Sequence, residues 1–413
     1  MSTTEQLTIR TTSPRVLPKE APTPKRPGLG TLLVHGGERP DPVTGAIAPP
    51  LIRTKTFRQP QFGKEAKWQY SRGKNPTRSI LEDKLAALVG QGEATVFGSG
   101  DAATAMFLLT LKPGDHILFC KEVYGGTLRL VDQLFARLGI RSDFVDFDDE
   151  AAVRAAITPD TKYFWVESPT NPSLHITDLK RVGELSRQTG IPYIADLTFA
   201  PPCTTDPFDY GAETVLYSLS KYFGGHNDAI GGAIVTRNKA LNEQLCWLQW
   251  TVGAVLSPDE CYRIIQELKT LELRWARVSA TAQIVAEHLQ EEPAIIQVNY
   301  PGLPSHPKHE LACRQMTAGF GSVLSFELTT QDSQRLEKFV ATAQADDIMV
   351  FAESLGSPES ILAHPATMSH RSVPAEVKAE LGITPGFFRL SVGFEDPADI
   401  IAALDAALAT LRD

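Results

Sequence analysis

Between Ala94 and Thr236, short apolar runs alternate with longer amphipathic stretches, and this alternation restricts the fold more than any other feature. The runs are ATVF (94–97), HILFC (116–120), SDFVDF (142–147), KYFWVES (162–168), PYIAD (192–196), TVLYS (214–218) and GGAIVT (231–236). Helical patterns such as DAATAMFLLTL, GTLRLVDQLFARLG and DLKRVGELSRQTG lie between several of them. Strand-length runs joined by helix-length connections predict an α/β layer with a mostly parallel central sheet. Upstream, SILEDKLAALVG reads as an amphipathic helix closed by Gly90. Downstream, one long helical stretch is expected over roughly 257–291, and a smaller C-terminal α+β domain completes the chain.

The expected organisation has four parts. Residues 1–28 are polar and proline-rich and read as a flexible extension. Residues 29–78 lack regular pattern over a length unusual for a loop, which predicts an arm reaching a neighbouring subunit. Residues 79–270 form the large domain and 271–413 the small one. A formal charge of -9 argues against a nucleic-acid or anionic-membrane surface. No apolar run approaches membrane-spanning length, and Cys120, Cys203, Cys246, Cys261 and Cys313 lack C-x-x-C spacing. A cytoplasmic protein with reduced thiols is the expectation.

In parallel sheets ligands gather at the carboxyl ends of strands, so the residues there are the first candidates for a site. ATVF runs into Gly98-Ser99-Gly100 and opens a helix, which makes an anion cradle of backbone N–H groups. HILFC leads to Tyr124 beside a Gly-Gly turn; KYFWVES delivers Glu167 and, beyond it, Asn171. PYIAD delivers Asp196, and TVLYSLSK delivers Ser218, Ser220 and Lys221. Singly, each has an ordinary reading: a helix cap, a rim aromatic, a solvated lysine. GSGDAA (98–103) also fits the dinucleotide fingerprint, with Glu122 as the acid of the next strand, so an NAD-dependent oxidoreductase stays open on that loop alone. Together, the cradle, aromatic ring, acid and lysine match the phosphate, ring, ring nitrogen and aldehyde of pyridoxal 5'-phosphate (PLP).

Longer blocks carry a family resemblance. YSRGKNPT (70–77), YGGT (124–127), ESPTNP (167–172), ADLTFAPP (195–202), SLSKYFGGHND (218–228), YPGLPSHPKHELACRQM (300–316), SLGSPESILAHPATMSH (354–370) and RLSVGFED (389–396) resemble the Cys/Met-metabolism group of fold-type I PLP-dependent enzymes. That group includes cystathionine γ-synthases and γ-lyases.

The resemblance implies Lys221 in Schiff-base linkage to PLP, Asp196 facing the pyridine nitrogen, and Tyr124 stacked on the ring. It implies Ser99, Gly100, Asp101, Ser218 and Ser220 at the phosphate, with Tyr70 and Arg72 reaching the cofactor of a neighbouring subunit. Asn171 is implied near the 3'-oxygen, and Arg389 with Ser354 at the substrate α-carboxylate, which a planar guanidinium suits. Glu359 resembles the γ-acting members, which implies γ-elimination or γ-replacement on a γ-substituted L-amino acid by a tetramer of two tight dimers. Several positions depart from the pattern. Gln69 stands where many members place an acid that meets a distal substrate amine, Asp101 replaces a methionine, and Leu197 an asparagine. Arg53 and Lys55 replace small or apolar residues. These departures point toward an unusual γ-substituted substrate.

Overall fold

The computed structural model describes residues 27–90, 92–371 and 373–412. The expected extension 1–28 therefore lies almost wholly outside the described residues. All seven apolar runs form strands: β1 Glu93–Phe97, β2 His116–Cys120, β3 Arg141–Val145, β4 Thr161–Glu167, β5 Tyr193–Asp196, β6 Thr214–Ser218 and β7 Gly232–Thr236. They make one sheet in the order β1-β7-β6-β5-β4-β2-β3. Only β7 runs against the rest, because it pairs antiparallel with both β1 and β6. The other six strands therefore point the same way and present their carboxyl ends along one edge. β2, β5 and β7 are buried along their whole length, as expected of strands covered on both faces. The edge strand β3 instead exposes Arg141 and Asp143, charges that discourage further strand pairing.

A second sheet follows, built from β8 Ile295–Asn299, β9 Val323–Leu328, β10 Met349–Phe351, β11 Ser360–Ala363 and β12 Phe387–Ser391 in the order β10-β11-β12-β9-β8. Each sheet has its own apolar core, and the helix Leu271–Gln290 belongs to both. Leu271, Trp275 and Val278 pack into the first core, whereas Ala282, Val285, Ala286 and Leu289 pack into the second.

The single helical stretch expected over 257–291 is in fact two helices, Pro258–Leu268 and Leu271–Gln290. Neither glycine nor proline marks the break. Buried Arg274 occupies it: Nη2 donates to the Glu267 carbonyl at 2.9 Å and Nε to Thr270 Oγ1 at 3.2 Å. Its Nη1 donates to the Tyr222 carbonyl at 2.8 Å, so the break anchors the loop that carries Lys221.

Candidate active site

The carboxyl edge of the first sheet opens into a cavity of about 260 Å³, closed on its far side by loops of the second sheet. Its lining includes Ser99, Gly100, Asp101, Tyr124, Asn171, Asp196, Ser218, Ser220, Lys221, Ser354 and Arg389, residues that lie up to 290 positions apart in the chain (389 less 99).

At one end the helix Gly100–Leu108 begins. Ser99 caps it, its Oγ accepting from Ala102 N at 3.0 Å. The strand beside it must carry glycine, since a Cβ on Gly232 would collide with the Ser99 carbonyl. The cradle and Ser218 are brought together through that contact. Ser220 lines the same space, but its hydroxyl accepts from Gly231 N at 3.0 Å and donates to the Gly231 carbonyl at 3.2 Å.

Two carboxylates lie at neighbouring positions of β4 and β5, Glu167 opposite Asp196. Asp196 Oδ1 accepts from Thr198 Oγ1 at 2.7 Å and Thr198 N at 3.0 Å, and Thr198 Oγ1 in turn accepts from Ser218 N at 3.0 Å. Burial holds the Asp196 carboxyl above its ordinary range, with the Thr198 hydrogen bonds opposing. No cation among the described residues neutralises that acid, so a cation placed against it would be held strongly. Glu167 is raised further, by burial and by Asp196 beside it. Its two oxygens accept from Tyr124 N at 2.8 Å and Asn171 N at 2.9 Å. One buried carboxylate thus fixes the backbone of both residues.

The second sheet supplies the opposite wall. Arg389 on β12 donates through Nη1 to Asn171 Oδ1 at 2.9 Å and through Nη2 to the Ser354 carbonyl at 2.8 Å. Its Nε is buried with no partner among the described residues, a donor available to an incoming carboxylate. Ser354 holds a φ of 124°, rare for a non-glycine residue, and its Oγ accepts from Lys221 Nζ at 3.2 Å. Burial, then the Arg389 charge, lowers the Lys221 amine from 10.5 to about 8, with Glu353 and Asp101 opposing.

Asp101 is tucked beside Tyr124. A Cβ on Gly126 would collide with Tyr124 Cε1 and sit 2.9 and 3.0 Å from the two Asp101 oxygens, so glycine there admits the carboxylate. Arg129 Nη2 lies 3.7 Å from Asp101 Oδ2. Burial raises the Asp101 carboxyl, against the pull of Arg129 and Lys221.

Not every expected residue reaches the cavity. Glu359 lines an adjoining open hollow, a vestibule that shares Ser220, Lys221, Glu353 and Ser354 with the main cavity. None of the residues lining either space comes from 29–78. Tyr70 is half-exposed with the Arg72 guanidinium 5.5 Å from its ring centroid, and Gln69 engages Phe57 N through its carbonyl. Sequence reasoning missed Glu353, which lines both spaces, and Thr198. Thr198 had a signal, since a threonine two places after an aspartate at a strand end forms a local hydrogen-bonded turn. It also left Glu167 without a role.

A cradle at a helix N-terminus, a buried unpaired acid and a lysine of lowered basicity suit the phosphate, ring nitrogen and aldehyde of PLP, so the residues present fit that group. The site is of the PLP-dependent type. A family model described as Cys/Met metabolism PLP-dependent enzyme matches residues 30–409, and the chain belongs to this family. It is 42% identical over 386 residues to a cystathionine beta-lyase of Coxiella burnetii, covering 93% of this chain and 98% of that one. It is 40% identical over 378 residues to a cystathionine gamma-lyase of Bacillus subtilis, covering 92% and 98%. The solved structure of cystathionine gamma synthase from Xanthomonas oryzae pv. oryzae, in complex with aminoacrylate and cysteine, matches with a TM-score of 0.90 at 35% identity, over 94% of this chain and 99% of that chain. These findings leave no place for the dinucleotide reading of GSGDAA.

Proposed function

We propose that the protein eliminates or replaces a γ-substituent of an L-amino acid. The observation that carries this is the position of Lys221 Nζ, 3.2 Å from Ser354 Oγ on the loop whose carbonyl holds Arg389. An amine of lowered basicity is thereby fixed beside a guanidinium with an unmet donor. With PLP bound, the cofactor supplies an electron sink that acidifies the substrate Cα proton. Arg389, aided by Ser354 and oriented by Asn171, which would also lie near the cofactor 3'-oxygen, grips the α-carboxylate and turns Cα toward Lys221. The Lys221 amine removes the Cα proton and carries it between carbons, as an amine poised near neutral pH can do. Asp196 would hold the ring nitrogen, Tyr124 would cover the ring, and Ser99, Gly100, Asp101, Ser218 and Ser220 would hold the phosphate.

The vestibule gives a long substituent room, and the preference for γ over β chemistry rests on Glu359, which resembles the γ-acting members. A substrate held at Arg389 and reaching past Lys221 enters the space that Glu353 and Glu359 line, so a longer substituent has an acidic subsite to occupy. Relatives named for β-lyase, γ-lyase and γ-synthase activity frame the alternatives. Tyr70 and Arg72 stand apart from their own cavity, which supports a role for residues 29–78 at a neighbour's site, and we take the working form to be a cytoplasmic tetramer of two tight dimers. Gel filtration returning an active monomer would remove that part of the reading. The main test incubates the PLP-loaded enzyme with γ-substituted amino acids (O-acylhomoserine, O-phosphohomoserine, cystathionine, methionine) and β-substituted counterparts, each with and without cysteine. Mass spectrometry should find 2-oxobutyrate or thioether products from the γ series, whereas pyruvate and homocysteine from cystathionine would report β cleavage. Turnover confined to β-substituted substrates overturns the γ assignment.

A further inference from the structure

The turn His226-Asn227-Asp228 is fastened on both sides to one face of the helix Pro258–Leu268. His226 Nδ1 lies 2.7 Å from Glu267 Oε2, and Arg263 Nη1 lies 2.7 Å from Asp228 Oδ2, also donating to the Asp228 carbonyl at 3.0 Å. Glu267 and Arg263 are four residues apart, one helical turn, so the two clips grip a common ridge. Between them Asn227 adopts a φ of 56°, the left-handed conformation that asparagine accepts more readily than most residues. From that apex Nδ2 donates to Glu359 Oε2 at 2.8 Å, across the vestibule from one sheet's loops to the other's.

The far end is equally fixed. Ser360, next to Glu359, donates through N and Oγ to the two oxygens of Glu395 at 2.7 and 2.8 Å, and Phe394 N donates to the Pro358 carbonyl at 2.7 Å. Glu359 Oε1 has no hydrogen-bond partner among the described residues. An amide is a neutral donor: it orients a carboxylate without cancelling its charge, as a lysine or arginine in the same place would.

We propose that Asn227 is a positioning residue for substrate selection, holding Glu359 so that its free oxygen accepts from an N–H donor on the γ-substituent. This rests on the reading that the vestibule takes the γ-substituent. The test compares cystathionine, whose γ-substituent carries an ammonium group alongside a carboxylate, with methionine, whose substituent has no donor. Asn227→Gly keeps the left-handed turn and removes the amide; Asn227→Asp keeps the shape and sets a carboxylate against Glu359. Both should raise KM for cystathionine by about fivefold to tenfold, the scale of one ordinary net hydrogen bond, and lower the cystathionine-to-methionine ratio of kcat/KM. In a Glu359→Gln background Asn227→Gly should add nothing. If Glu359→Gln shifts the ratio and Asn227→Gly does not, the positioning role is overturned while the vestibule reading stands. If neither shifts it, both fall. Equal losses on both substrates with a lowered Tm would show a bridge between domains only, and would also overturn the proposal.

Discussion

The floor of the cavity and its mouth treat charge in opposite ways. On the floor, Glu167 has a backbone donor on each oxygen, Asp196 has two bonds from Thr198, and Arg389 is held at both terminal nitrogens before any ligand arrives. At the mouth, Glu359 has the one bond from Asn227, Asp101 has Arg129 at 3.7 Å, and Glu353 has no hydrogen bond among the described residues. Groups of the floor are buried, where an unmet polar atom costs most, so the fold satisfies nearly all of them and leaves Arg389 Nε for a ligand. Those of the mouth are partly solvated and can wait for a ligand. The floor is therefore suited to chemistry common to many substrates, and the mouth to choosing among them.

The largest test of this contrast concerns Lys221. Its amine is lowered from 10.5 to about 8, chiefly by burial. At pH 7 about a tenth of it is neutral, against about one part in 3,000 for an ordinary lysine, a ratio of roughly 300. Uptake of PLP by cofactor-free protein requires the neutral amine, so its rate should climb about tenfold per pH unit and level off above about 8. A plateau delayed to near pH 10 would mean that the floor does not tune this lysine. Linkage has the same sign. Between about 8 and 10.5 the unfolded chain holds a proton that the folded chain has released, so the cofactor-free fold gains stability as pH rises through that window.

A second test addresses Glu167. A glutamine there can accept from either Tyr124 N or Asn171 N but must turn its own N–H₂ group toward the other. Glu167→Gln should cost about 10- to 100-fold in kcat/KM, the scale of one buried backbone donor left unpaired. Since Tyr124 and Asn171 serve different ends of the site, PLP affinity and substrate KM should worsen together. A variant with lower Tm but unaltered Kd and KM would reduce Glu167 to a structural part of the floor.

Much of the floor was legible in the sequence because strand ends are. Asp196, Ser218 and Lys221 stand at or just past the ends of apolar runs, and topology alone brings those ends to one edge. Arg389 was legible only through the resemblance of RLSVGFED, since nothing local distinguishes an arginine in a buried strand. Most of the bonds that organise the site were hidden for a physical reason: they join residues far apart in the chain, unlike the local Asp196–Thr198 and Glu167–Asn171 pairs. Glu167 reaches back 43 positions to Tyr124, and Glu359 lies 132 positions from Asn227. The helix break at Lys269-Thr270 was equally hidden, because its cause is Arg274 filling the gap rather than a breaking residue. At the mouth, sequence could flag Asp101 and Gln69 as departures, but not that Asp101 fits over Gly126 while Gln69 stays outside its own cavity.

Asp101 gives the smallest expected effect and the sharpest probe of where floor becomes mouth. Its backbone N–H belongs to the cradle, whereas its carboxylate sits beside Tyr124, with Arg129 at 3.7 Å and Lys221 farther off as opposing charges. A carboxylate in the first turn stabilises a helix by a few tenths of a kcal/mol to about 1 kcal/mol, which favours Asp101 in the cofactor-free protein. Once a phosphate occupies the same helix end, like charges oppose each other and Arg129 offsets only part of the repulsion. Asp101→Asn preserves shape and removes the charge, so PLP should bind about threefold to tenfold more tightly at low ionic strength. The gain should shrink as salt screens the pair. Equilibrium titration of cofactor-free protein reads this without any turnover. Weaker binding in the variant would place the Asp101 carboxylate among the groups that help hold the cofactor, and the boundary between floor and mouth would then run outside Asp101 rather than through it.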